Sequence, residues 1–545
     1  MAVFVGNKKK NIFTGADDDD LFLGFGNHDR LTGNGGNDTF IGGKGKDRMD
    51  GGAGIDTAVF AGKAKDYDID FRDDGTVSVK GKDGYDTVLN VEILKFADRD
   101  VILVGGGGSE FTTIQSGVNA AGAADGDIVM VAAGTYVEQV TVANKVLTIE
   151  GEGDATQIVA PAALVANVQD TASGTPSKNA LIGVIGGEVT IKDLKIDGLG
   201  NGNNLSTAFG AADFNGIMYL NAGGEIDDVT ITGIRDALNL DGSLSGNQRG
   251  NGIVVANRDG VSRNIEVEDS KITDFQKTGM VFDGLGLTVE VEDNTVIGGG
   301  LQPLGSPAQN GIQVSRGATG MVEDNKVSNL GYGPDSFSAT GILVFDSDDV
   351  VVNDNRVTMV GDSNDAGIAF VDANNPTASH NDVTATFGIY QLGVFTDALE
   401  HHHNDLDATF AIGFYPDTGG PYDFEGSREN DDIWGAGADD VLNGGRGDDS
   451  LVGDGSHFGF GVGDGDDTFV FDRHSGDDTI LDFGQTVGNR DVIDVSDYNF
   501  KNFAKLQSKI SDNVDGDAVV QLTSHDSITI VGVSANQLTA QDFII

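Results

Sequence analysis

No cysteine occurs in the 545 residues, which excludes disulfides, thiolate metal sites and cysteine nucleophiles together. Any stapling of loops therefore has to come from metal. Proline is scarce at 8 residues, aromatic residues make up only 7%, and Lys plus Arg total 34 against 86 Asp plus Glu. The resulting net charge of −52 repels nucleic acid and anionic lipid, so DNA, RNA and bare membrane are poor partners. No stretch approaches the ~18 apolar residues of a membrane span. The opening run from Met1 to Gly6 is too short for the apolar core of a cleaved leader, so export by that route is not expected. Glycine, by contrast, is abundant: 81 residues, about twice the usual fraction of roughly 7%. A glycine-rich, aromatic-poor chain with few prolines points to repetitive β structure with many tight turns. At about 150 residues per domain the length holds three or four domains, or fewer if one is a long solenoid.

Nine-residue units start at Gly15, Gly24, Gly33, Gly42 and Gly51, reading at their clearest GGKGKDRMD and GGAGIDTAV. Their sixth position is acidic (Asp20, Asp29, Asp38, Asp47, Asp56) and their eighth apolar (Phe22, Leu31, Phe40, Met49, Ala58). A second array starts at Gly426, Gly435, Gly444 and Gly453, with Asp431, Asp440 and Asp449 in the sixth position and Ile433, Leu442 and Leu451 in the eighth. After an interruption around His457 it resumes with Asp467 and Phe469, then Asp478 and Ile480. The physical reading is a parallel β-roll. Glycines permit left-handed turns, the eighth side chain enters a thin core, and the aspartates converge on several Ca²⁺ ions between turns. Hard oxygen ligands favour calcium over zinc or copper. The tetrad Asp17 to Asp20 belongs to the first such turn rather than to a catalytic acid pair.

These units resemble the RTX (repeats-in-toxin) family. The stretch DGYDTVLNVEILKFADRDVILV is similar to the cap that follows RTX rolls, and the end of the chain, from DVIDVSDYNF to SANQLTAQDFII, resembles the uncleaved type I secretion signal region of that family. The resemblance implies partnership with a type I secretion machinery and an extracellular, cell-surface-associated destination. It also fits a chain left unfolded at low cytosolic Ca²⁺ and folded by Ca²⁺ outside, since crowded aspartates repel one another when no metal is present.

From about Gly105 the period lengthens. Gly105 to Gly108 reads as a linker, because no Lys-Ser/Thr follows to make a phosphate loop. The stretch ADGDIVMVAAGTYVEQVTVANKVLTIEGEGDATQI resembles the opening rungs of right-handed parallel β-helices of the pectin-lyase type. A Gly followed by an apolar residue recurs at Gly216, Gly252, Gly279, Gly311, Gly341, Gly367, Gly388 and Gly413, at spacings of 21 to 36 residues. Asn294, Asn325, Asn355, Asn381 and Asn404 precede mostly β-branched positions and are expected to stack as a ladder inside a turn. The residue before each, with Asp269 before Ser270 at the head, gives a solvated line, Asp269, Asp293, Asp324, Asp354, His380 and His403. Two residues after each Gly, an outward column reads Met218, Val254, Val281, Gln313, Leu343, Ala369, Tyr390 and Tyr415. It is apolar enough to require either a covering segment or an assembly partner. A second outward column, Lys195, Thr230, Lys271, Thr295, Lys326, Arg356, Asp382 and Asp405, carries four cations. They could run along an acidic glycan or balance neighbouring aspartates.

Elimination from a uronate needs a cation to neutralise the carboxylate, a base near C5 and an acid near the leaving oxygen. Candidate players are Lys277, Arg316, Arg249 and Arg258, with Tyr390, Tyr415, His380 and His403 as acid/base groups. The chain has no close match to the paired aspartates of polygalacturonases or to the Tyr-Gly-x-Asp-Pro-His motif of mannuronan epimerases; Tyr415-Pro416-Asp417 is a weak echo. In His401-His402-His403 at most two rings share a strand face, and a third metal ligand would have to come from His380, so a polar turn is the simpler reading. The expected organisation is all-β: an RTX β-roll over 1–60, its β cap over 61–104, a right-handed parallel β-helix over 105–425, a second roll over 426–485, and a β cap with the secretion signal over 486–545. Two functions fit. One is a non-enzymatic, calcium-dependent surface or matrix component of S-layer-like or adhesive type, partnered by itself. The other is a lyase, C5-epimerase or hydrolase acting on an acidic extracellular polysaccharide.

Overall fold

A nonapeptide is long enough for one short strand and one turn, so a closed coil takes two of them. The register of the first roll obeys this rule. Val3, Leu21, Thr39 and Thr57 lie side by side on one sheet and Ile12, Arg30 and Arg48 on the other, all parallel. The structure is a computed structural model describing residues 1–124, 126–169, 178–204, 213–334, 337–361, 365–396, 398–418, 421–435, 437–454, 465–486 and 489–545. The interruption around His457 lies outside them. Two units form: Met1–Ala237 with Arg249–Phe275, and Leu238–Gln248 with Gln276–Ile545.

In the first unit, alternation along three- to six-residue strands sends the eighth-position side chains inward, where Phe22, Leu31, Phe40, Met49 and Ala58 are all at most 1% exposed. Phe4, Phe22 and Phe40 stack coil on coil, with ring centroids 4.7 and 4.9 Å apart. Complete burial of such a side chain is worth about 1.5–3 kcal/mol, so this column is the main apolar support of a core one side chain thick. The segment expected to be a cap contributes one more coil. Gly84–Leu89 runs parallel to Arg48–Ala53, with Val88 beside Met49, and the antiparallel pair Asp68–Phe71 and Val77–Gly81 is inserted before it. Ile93–Lys95 then pairs with Thr57–Val59 and with Asp100–Val104, which in turn pairs in parallel with Asp127–Val131. From there the coils lengthen through Val140–Val159, Asn179–Asp197 and Gly223–Thr232. The short helix Ile114–Ala120 covers this start. The Glu138 carboxylate accepts its Ile114 and Gln115 N–H groups, and Lys145 donates to the Val118 and Ala121 carbonyls at its other end.

In the second unit parallel strands continue coil by coil: Thr278–Asp283, Asn310–Ser315, Thr340–Phe345, Ala366–Val371, Asp382–Val394 and Asp405–Thr418, and then the roll strand Asp432–Trp434. Buried Asn294, Asn325, Asn355 and Asn381 and half-buried Asn404 form a ladder, each Nδ2 donating to the next Oδ1 at 3.0–3.1 Å. The residue before each, Asp293, Asp324, Asp354, His380 and His403, is left-handed with φ between 54° and 58°, a conformation that short polar side chains and His tolerate. The glycine column is steric. A Cβ on Gly311 or Gly341 would lie 2.5 Å from the carbonyl oxygen of Gly341 or Gly367 on the next coil. Its last member is not Gly413, because Gly388 faces the Ala411 carbonyl and Gly413 pairs with Tyr390. Tyr415 therefore leaves the outward column and is buried. The remaining members are in register within each unit but only half-exposed or buried. In the first unit the fully buried Val168 packs with Met218, Leu220 and Ala256 on this strip, a covering segment rather than an open face. In the second, Leu244 is buried over the Gln302 turn, its N–H donating to Gln302 Oε1 at 3.3 Å and its carbonyl accepting from Ser306 Oγ at 2.9 Å.

Candidate metal centres

Each sixth-position aspartate of the rolls is at most 3% exposed, and one of its oxygens has a structural task. The Asp20 N–H donates to Asp38 Oδ1 and the Asp38 N–H to Asp56 Oδ1, both at 2.7 Å; on the other turn line the Asp29 N–H donates to Asp47 Oδ1 at 2.8 Å. The second roll repeats the arrangement from Asp431 to Asp449 to Asp478 and from Asp440 to Asp467, at 2.8–3.1 Å. Every such bond ties one coil to the next.

In seven of these aspartates the other oxygen is left over. Oδ2 of Asp29, Asp38, Asp47, Asp56, Asp449, Asp467 and Asp478 is buried with no hydrogen-bond partner. A backbone carbonyl faces the same small space. A Cβ on Gly24 would lie 2.6 Å from both Asp29 Oδ2 and the Gly42 oxygen, and one on Gly435 would lie 2.6 Å from Asp440 Oδ2 and 2.3 Å from the Gly453 oxygen. Glycine is needed here because oxygens converge where a side chain would stand. Burial, with help from neighbouring carboxylates, pushes Asp38 up to about 6, Asp56 to about 7, Asp467 to about 8 and Asp449 to about 9. Buried, unpaired, mutually repelling carboxylate oxygens beside carbonyls are the donor set of a hard divalent cation, and Ca²⁺ would neutralise them in place.

The ladders run further than the nonapeptides. Asp86 Oδ1 accepts the Asp47 N–H at 2.8 Å, Asp491 Oδ1 accepts the Asp467 N–H at 3.0 Å, and burial pushes both carboxyls up to about 7. Glu92 ends the first ladder by accepting from Asp56 and Glu110 N–H groups with its two oxygens. The available signal was Asp followed two residues later by a core side chain, as in Asp86-Thr-Val88 and Asp491-Val-Ile493. Inserted residues obscured the nine-residue count.

The glycan-directed candidates are divided between the two units. Lys195, Thr230 and Lys271 are in register in the first unit, and Thr295, Lys326, Arg356 and Asp382 in the second. Arg356, however, pairs with Asp382 at 2.8 Å. Lys277 Nζ donates to the Ala308 carbonyl at 2.5 Å, and Arg316 pairs with Asp283 at 2.6 Å. His380 and His403 stack with ring centroids 5.2 Å apart on the left-handed line, while His401 turns away to the Glu425 carbonyl at 2.6 Å, so the three do not make a metal triad. Tyr390 and Tyr415 pack edge to face at 6.2 Å, burial pushing Tyr390 up to about 12, and the Tyr415 hydroxyl donates to Asp432 Oδ2 at 3.0 Å.

A family model for the RTX calcium-binding nonapeptide repeat (4 copies) matches residues 23–58 and 423–456, and one for a right handed beta helix region matches residues 182–396. The chain thus carries RTX calcium-binding nonapeptide repeats on either side of a right-handed parallel β-helix region. Similar solved structures include the A-module of mannuronan C-5 epimerase AlgE4 from Azotobacter vinelandii (13% identity, 70% of this chain and 90% of that one, TM-score 0.32). Pectin methylesterase PemA from Erwinia chrysanthemi is 12% identical over 53% of this chain and 80% of that one, TM-score 0.26. ORF18 of Geobacillus virus E2 is 14% identical over 73% and 68%, TM-score 0.30. Likenesses this distant do not bear on activity. No curated protein matches the chain.

Proposed function

We propose that the protein leaves the cell through a type I secretion system, folds outside on Ca²⁺ and serves as a non-enzymatic component of the cell surface or extracellular matrix. The observation that carries this reading is the set of buried, partnerless Oδ2 atoms in both rolls, which makes the folded state depend on a cation that is scarce in the cytosol and plentiful outside. In this reading 1–60 and 426–485 are the metal-bearing rolls, with 61–104 lengthening the first, 105–425 the β-helix they flank, and 486–545 a cap with the export signal. The ion pairs and hydrogen bonds of Lys277, Arg316 and Tyr415 support this reading. The test is light scattering and electron microscopy of purified protein on addition of millimolar Ca²⁺. Ordered oligomers that Leu343→Asp suppresses are expected, and a monomer under both conditions would overturn self-assembly.

A second reading, a lyase, C5-epimerase or hydrolase acting on an acidic polysaccharide, draws on the cation columns: Lys195 and Lys271 flank Thr230, and Lys326 and Arg356 are adjacent. It predicts new absorbance at the unsaturated-uronate band, a changed epimer content or new reducing ends when acidic glycans and Ca²⁺ are supplied together.

A further inference from the structure

The boundary between β-helix and roll in the second unit is a shared coil contact rather than a linker. Gly413 and Phe414 of the last long strand pair in parallel with Asp432 and Ile433 of the roll. The Ile412 N–H donates to Asp431 Oδ1 at 2.7 Å, and the Ala411 N–H to the Asn430 carbonyl at 2.8 Å. The neighbouring Asp432, itself buried, accepts the Tyr415 hydroxyl and the Trp434 indole N–H, both at 3.0 Å. Tyr415 in turn packs edge to face on Tyr390 and Phe387 of the preceding coil, at 6.2 and 6.4 Å. On the other turn line the Tyr422 N–H donates to Asp440 Oδ1 at 2.7 Å, and the Tyr422 and Phe414 rings both pack against Phe424. The β-helix therefore ends on acceptors supplied by the same aspartates that line the roll.

We propose that Ca²⁺ in the C-terminal roll controls the closure of the last β-helix coils, residues 382–396 and 398–418, which are held shut through Asp431, Asp432 and Asp440. The inference rests on the calcium reading of the roll. When the cation leaves, stacked carboxylates with buried oxygens repel and the roll turns open. Ile412 and Tyr422 then lose their N–H acceptors, Tyr415 loses Asp432, and the Tyr390–Tyr415–Phe387 cluster is uncovered. The ladder reaches these coils only through its partly buried last rung, Asn381–Asn404, whereas 312–334 and 337–357 are tied by the fully buried Asn325–Asn355 rung and stay closed.

Hydrogen exchange on the full chain, with millimolar Ca²⁺ and then with chelator, tests this, with calcium binding followed in parallel by calorimetry. Amides of 408–415 and 387–392 are expected to exchange at least about tenfold faster in chelator, in step with 431–452, while 312–357 changes less than about threefold; re-added Ca²⁺ restores protection. Continued protection of 408–415 while 431–452 exchanges freely would overturn the coupling and leave the calcium reading intact. Loss of protection extending through 312–357 would replace local control with global unfolding. If calorimetry shows no binding and 431–452 is unmoved by chelator, the calcium reading itself fails.

Discussion

Asn355 commits its whole amide. Nδ2 donates to the Val322 and Asn353 carbonyls and to Asn381 Oδ1, while Oδ1 accepts the N–H and the Nδ2 of Asn325. Asn355→Ala strips acceptors from buried donors on the coil before and frees a carbonyl on its own, so a loss of about 1–3 kcal/mol is expected, read as a shift in urea midpoint at saturating Ca²⁺. An unchanged midpoint would mean the column only fills space. Asp86 presents the opposite chemistry. Asp86→Asn keeps an oxygen for the Asp47 N–H but removes a charge from the end of the ladder. Calorimetry should show weaker calcium binding by the first roll and none of this effect in the second. Asn355 was legible in the sequence because its column repeats before a core residue. Asp86 was not, because 26 residues of hairpin and turn, 60–85, separate the end of the preceding unit from it, and only stacking reveals that Val88 and Met49 are neighbours.

At the level of the roll, proton and metal compete for the same carboxylates. Folding without metal raises Asp38, Asp56, Asp467 and Asp449 from 3.8 to about 6, 7, 8 and 9. A raised carboxyl favours the folded state when protonated. Its contribution is fully present below about 3.8 and is lost as pH climbs through the raised values. Chelated protein should accordingly gain β signal in circular dichroism on acidification from about pH 9 to below 6. Calcium affinity should fall over the same descent, with protons released on binding. A flat profile in both measurements would show that these oxygens are not metal ligands. The roll's periodicity was plain in the chain because glycine, aspartate and core residue recur at fixed offsets. The division of labour between Oδ1 and Oδ2 was hidden, since it depends on which N–H lies one coil away.

For the whole molecule the dominant quantity is the charge of −52. Chelation should enlarge the hydrodynamic radius as the rolls open and their carboxylates repel, and 0.5 M NaCl should recover part of the contraction by shortening the screening length to about 4 Å. Ca²⁺ should recover all of it at millimolar concentration; equal recovery by Mg²⁺ would count against a site built for the larger, more flexibly ligated ion. Composition and repeat spacing by themselves determined that this is an all-β solenoid with calcium-binding repeats. Cysteine is absent, the aspartates fall every ninth residue, and each core side chain follows two positions later, all properties of local spacing along one chain. Tertiary structure alone decided where the ladders end, that Ala411 rather than Gly413 closes the glycine column, that Tyr415 is buried beside Tyr390 with its hydroxyl on Asp432, and that the apolar strip of the first unit is covered by Val168. Each of these depends on which residues of unequal coils come to lie side by side, and insertions between coils make that a matter of packing rather than of counting.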